Sequence, residues 1–157
     1  MPTIAEVVKQ VLPNSVYHLE DLIVFASHDV QRRRGPNVYL FSNKVRGTNP
    51  NDTNEMARNE RRNIAMARDI QRQHPEWIVI CSSEIMEGNV RRNLNLFPST
   101  TGQQLAYMWP RIIQRGGING IITGPEAHLS TGSLAEQAIA HELGLPIIAA
   151  ELPMKNY

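Results

Sequence analysis

Gly124-Pro-Glu-Ala-His-Leu-Ser-Thr-Gly-Ser-Leu-Ala-Glu-Gln-Ala-Ile-Ala-His-Glu-Leu-Gly-Leu-Pro-Ile-Ile148 decides the reading of this chain. The apolar run before it, Ile118 to Thr123, has the length of a buried strand. A loop with Gly124, Pro125 and Gly132 follows, and then a helix with Ala135, Ala138, Ile139 and Leu143 on one side. Gly144 ends that helix, and Pro146 prevents its return. Ile147 to Ala150 reads as a second buried strand. The pattern is a βαβ unit whose loop lies at the carboxyl end of its first strand, where ligands bind in open α/β sheets.

Two readings of the loop compete. In the first, Ser133-Leu-Ala-Glu136 is a capping box, with the Ser133 hydroxyl on the Glu136 amide and the Glu136 side chain returning to the Ser133 amide. The second adds what the box leaves unexplained. Ser130, Thr131, Gly132 and Ser133 set small donors at a helix N-terminus, a ready anion site, with the Glu136 carboxylate one turn further in.

Ser130-x-Gly132-Ser133-x-x-Glu136, followed by Ala138, Gly144 and Pro146, resembles the signature of the nucleoside 2-deoxyribosyltransferase family. Its nucleoside 5′-monophosphate N-glycosidase branch carries a serine where Ser130 stands, as a phosphate contact. The resemblance runs from Asn37 to Ala150. It implies a flavodoxin-like, three-layer α/β domain with a mostly parallel sheet of about five strands. It also implies that Glu136 is the nucleophile, with Ser130, Gly132 and Ser133 as substrate contacts and no cofactor.

The chain has 157 residues, 41% hydrophobic and 20% charged, which fits one ordinary globular domain. We take 1–157 as that domain, with 1–36 as an N-terminal extension. A net charge of +1 gives no global attraction to a nucleic acid polymer or a membrane. Cys81 has no second cysteine to pair with, which fits a reducing, cytoplasmic setting. The segment from Met1 to Leu12 lacks the basic start of a signal peptide, and no apolar run reaches transmembrane length.

In order, the sequence predicts a short helix over Pro2–Leu12 and a strand over Leu22–Ala26. The basic turn Gln31-Arg-Arg-Arg-Gly-Pro36 follows, read as a solvated turn. Val38–Phe41 is the first strand of the nucleotide-binding core. It runs into Ser42-Asn-Lys-Val-Arg46-Gly47, a small, polar and cationic loop suited to phosphate. Arg46-Gly47 matches the Arg-Gly of the monophosphate-cleaving branch, although Ser42 and Asn43 stand where that branch has glycine. Arg46 is therefore the expected phosphate ligand, with Ser42 and Asn43 beside it and Lys44 as the substitute.

Asn51–His74 reads as the longest helix, opened by Asp52 and Glu55. Its apolar side is irregular, and its arginines at 58, 61, 62, 68 and 72 read as a solvated face. Trp77–Cys81 is a strand, Ser82–Thr101 a long loop of the kind that serves as a lid, and Gln103–Gln114 a helix with Pro110 at a kink or in a first turn. Tyr39, Trp109 or Tyr107 is the expected aromatic partner of a base, with core packing as the alternative for Tyr39 and Trp109.

One departure from the family is plain: no Asp or Glu occurs between Gly88 and Pro125. The resemblance places a second acid there, to hold and protonate the leaving base. Gln104, Tyr107 and Trp109 occupy that stretch, so Glu84, Glu87 or Glu126 would have to serve. The expected activity is cleavage or transfer at an N-glycosidic bond of a nucleoside or nucleotide by a homo-oligomer. The alternatives are a nucleotide-binding or sequestering protein on the same fold, and a lysine-decarboxylase-like phosphoribohydrolase.

Overall fold

The computed structural model describes Ser27, Val30, Gln31, Arg33 and residues 35–45, 53–81 and 108–157. The helix expected over Pro2–Leu12, the strand over Leu22–Ala26, the loop 82–101, and Arg46, Asp52, Glu84, Glu87, Gln104 and Tyr107 lie outside the described residues.

Within them the chain runs β1 (Val38–Ser42), α1 (Thr53–Gln73), β2 (Ile78–Cys81), α2 (Met108–Gln114), β3 (Gly120–Thr123), a 3-10 turn (Ala127–Leu129), α3 (Thr131–Glu142) and β4 (Ile147–Ala149). The strands form one parallel sheet in the order β2-β1-β3-β4. This is an α/β architecture compatible with a flavodoxin-like fold. Pro110 is the third described residue of α2.

Parallel strands are short and apolar because both faces are covered. Leu40 pairs with Ile80 on one side and Ile121 on the other. All three are shut away from solvent, each contributing about 1.5–3 kcal/mol. The alternate residues Phe41, Cys81 and Ile122 face the other way and pack on Met66, Ala67 and Ile70 of α1.

α3 closes as its sequence predicts. Gly144 sits at φ +70°, Gly144 N–H donates to the His141 carbonyl and Leu145 N–H to the Ala140 carbonyl. This pairing is the Schellman motif, and a left-handed residue there favours glycine. Two expectations change. The buried stripe of α3 is Ser133, Glu136 and Ala140, while Ala138 and Leu143 are exposed, so the polar side of this helix faces inward. β4 is not buried: Ile147 and Ala149 are exposed, because among the described residues only β3 pairs with it.

The last residues, 155–157, are tied to α1. The buried Asp69 carboxylate accepts from the Tyr157 hydroxyl at 2.6 Å and the Lys155 ammonium at 2.7 Å, and pairs with Arg72. Those donors, Lys155 foremost, hold the Asp69 carboxyl far below the usual carboxylate range. Burial, together with Asp69, pushes the Tyr157 phenol up to about 12.

The sign for Asp69 follows from linkage. Its folded pKa lies below its unfolded one, so its contribution is complete above about pH 4 and is lost as pH falls below that. Thermal melts should therefore show wild type and Asp69→Asn well separated at pH 7 and converging toward pH 2. A separation that stays constant with pH would remove this role for Asp69.

Candidate functional site

The chain leaves β1 outward to β2 and then returns to β3 on the other side, so the strand order reverses between β1 and β3. The carboxyl ends there, Ser42 and Thr123, are register partners. A crevice for ligands opens at such a point.

α3 begins beside it. Ser130 is the N-cap, and its hydroxyl oxygen accepts from the Ser133 amide at 3.2 Å. The expected capping box is thus displaced: the cap is Ser130 rather than Ser133, because the helix starts at Thr131. Ser133 and Glu136 are freed from capping and turn inward, with Gly132 in the first turn between cap and serine. Ser130→Ala should lower stability by about 1 kcal/mol, the usual cost of a lost cap, measurable by urea unfolding. An unchanged midpoint would show that the cap carries nothing.

The two inward residues meet β1. Ser42 Oγ and Ser133 Oγ are 2.5 Å apart, and Ser42 Oγ donates to Glu136 Oε1 at 3.3 Å. Gln137 Nε2 donates to Ser133 Oγ at 3.4 Å. A hydroxyl has one proton. With that of Ser42 on the carboxylate, Ser133 donates to Ser42, and the bonds run one way: Gln137 to Ser133 to Ser42 to Glu136. The chain ends on a carboxylate whose residue is only 8% exposed. Glu136 is thereby held in place at the switch point of the sheet.

Asn43 fixes the other lip. Its amide donates to Asn63 Oδ1 at 3.0 Å, and its oxygen accepts from the Glu126 amide at 2.9 Å. Gly124 passes so close that an added Cβ would lie 2.5 Å from Asn43 Cγ. Above this lip Arg62 of α1 pairs with Glu126. Lys44 contributes its carbonyl, which accepts from Asn63 Nδ2 at 3.2 Å.

The structure thus brings together Ser42, Asn43, Ser130, Gly132, Ser133 and Glu136. It does not bring Tyr39 there. That ring leans on Trp77 at 4.7 Å, three residues and roughly 10 Å down the strand from Ser42. Trp109 is buried in the core, the second of its two alternatives, and its indole N–H has no acceptor among the described residues. Arg46 lies outside the described residues.

The Arg62–Glu126 pair escaped the sequence reading. Its only signal was an arginine on a helix and a glutamate after a strand, and 64 positions separate them. Among the described residues no group of three or more His, Cys, Asp or Glu could hold a metal ion, and no helix is long and apolar enough to cross a membrane. No known protein family, curated protein or solved structure matches the chain.

Proposed function

We propose that the protein cleaves or transfers at the N-glycosidic bond of a nucleoside or nucleoside 5′-monophosphate, with Glu136 as the nucleophile. The observation that carries this reading is the Glu136 carboxylate, held by the Ser42–Ser133 hydroxyl pair at the carboxyl ends of β1 and β3. A carboxylate fixed beside C1′ can attack it, or stabilise the oxocarbenium-like charge that develops there, as in glycoside hydrolysis. Ser130, at the opening of α3, receives the phosphate or the 5′-hydroxyl, together with Arg46. Glu126 is the described acid nearest in role to the missing proton donor for the base.

The reading includes a flavodoxin-like, three-layer domain with a fifth strand. Handedness supports the third layer. The β1–α1–β2 and β3–α3–β4 crossovers leave the β1/β3 junction in opposite directions, and right-handed connections then lay α1 and α3 on opposite faces. The cytoplasmic setting rests on the single, buried Cys81. A homo-oligomer is also part of it, supported by the exposed Leu129, Leu134, Leu143 and Ile147 around α3. Light scattering should show a species larger than the monomer; a monomer at working concentration removes that part.

The main test is incubation with a panel of nucleosides and 5′-monophosphates, followed by chromatography for free base. Release of base from at least one is the expected result. The second reading, a nucleotide-binding or sequestering protein, is favoured by one observation: the Glu126 carboxylate is engaged by Arg62. Binding without release of base across the panel would select it.

A further inference from the structure

We propose that the exposed side of α1 carries a second ligand site, separate from the Glu136 crevice, that binds a small oligophosphate, free or as the tail of a nucleotide. The site is a cleft of about 620 Å³ lined by Arg58, Asn59, Arg61, Arg62, Lys155 and Tyr157, among others. That volume falls within the usual range of ligand pockets, roughly 300–1,000 Å³.

Three observations distinguish it from an ordinary solvated face. First, the cations are incompletely neutralised. Arg62 has Glu126 and Lys155 has Asp69, but neither Arg58 nor Arg61 has an acidic partner among the described residues, and no acidic side chain lines the cleft. Like charges one turn apart on a helix repel, so Arg58 costs stability beside Arg61 and Arg62 until an anion lies between them.

Second, the far wall is built. The Asp69 carboxylate, buried and fully engaged, pins Tyr157 and Lys155 opposite the arginines. Lys155 Nζ lies 5.0 Å from the centre of the Tyr157 ring, in cation–π range.

Third, the chemistry is that of clustered phosphate. Guanidinium groups in a row offer paired N–H donors that match phosphate oxygens. A polynucleotide fits less well. The cleft has one aromatic ring among its lining residues, so successive bases have no stacking series.

The test is calorimetric titration at low salt with tripolyphosphate, a nucleoside triphosphate and a short single-stranded oligonucleotide. Tripolyphosphate should bind, and raising the salt should weaken it. The double variant Arg58→Ala/Arg61→Ala removes only exposed side chains and should weaken binding about tenfold to a hundredfold. Arg115→Ala, an exposed arginine elsewhere, should leave it unchanged. Tighter binding of the triphosphate than of tripolyphosphate would make the nucleotide the source, and equal binding the free oligophosphate. The proposal is overturned if tripolyphosphate does not bind, if only the oligonucleotide does, or if Ser130→Ala abolishes binding while the double variant keeps it. None of these outcomes depends on release of base, so this site and the Glu136 chemistry stand or fall separately.

Discussion

Replacing Glu136 with glutamine should lower release of free base by about three orders of magnitude or more, the scale seen when a catalytic nucleophile is removed, while the protein stays folded. Glutamine keeps the size of the side chain and its carbonyl can still accept from Ser42, so the hydroxyl chain through Ser133 survives. It removes the negative charge that would meet C1′ in the proposed reaction. The helix cap is not at stake, because Ser130 provides it, and a fall in activity therefore reports chemistry rather than fraying of α3. Thermal unfolding and nucleotide binding should accompany the assay. A folded variant that binds nucleotide and releases base at the parent rate would end the case for Glu136 as nucleophile.

Gly124→Ala should be strongly damaging although it adds a single methyl group. The new Cβ would lie 2.5 Å from Asn43 Cγ and 2.7 Å from its Cβ. Asn43 cannot move aside cheaply, because one end of its amide holds Asn63 and the other holds the Glu126 N–H. Overpacking of this kind costs about 1–3 kcal/mol, and it displaces the lip that carries Glu126. Urea unfolding should show the loss, and any release of base should fall with it. Asn43→Gly removes the opposing Cβ, so the double variant should lose less than the two single changes combined. Strict additivity would mean that Gly124 and Asn43 do not press on each other.

The strands were legible because parallel strands buried on both faces appear as short apolar runs. Val38, Ile78 and Ile121 fall where such runs predict, and Ile147 does so too, although β4 is exposed rather than buried. The side from which α3 docks was not legible. Ala135, Ala138, Ile139 and Leu143 suggested an apolar face, yet Ser133 and Glu136 are buried there beside Ala140. Their burial is offset by Ser42, a residue 91 positions away from Ser133 that no local pattern can supply.

The irregular inner face of α1 has the same explanation. Asn63 and Asp69 interrupt it, and both are buried with hydrogen-bond partners from distant segments, Asn43 and Tyr157. The capping box misled for a local reason. Ser130 and Ser133 are both good caps, and only the start of the helix at Thr131 decides between them. For the site, Ser42, Asn43, Ser130, Gly132, Ser133 and Glu136 were nominated and are assembled together, whereas Tyr39 and Trp109 pack elsewhere.

The contact between Ser42 and Glu136 spans 94 positions of the chain. Loops of that length close late, since the entropy of closure is lost before any long-range contact offsets it. The cap and the terminal glycine of α3 are local to the helix and form without any partner for Glu136. The carboxylate acquires its hydroxyl partner only when β1 is seated beside β3. Refolding from urea should therefore show helical signal first and any release of base later, with the interval set by closure of the parallel sheet.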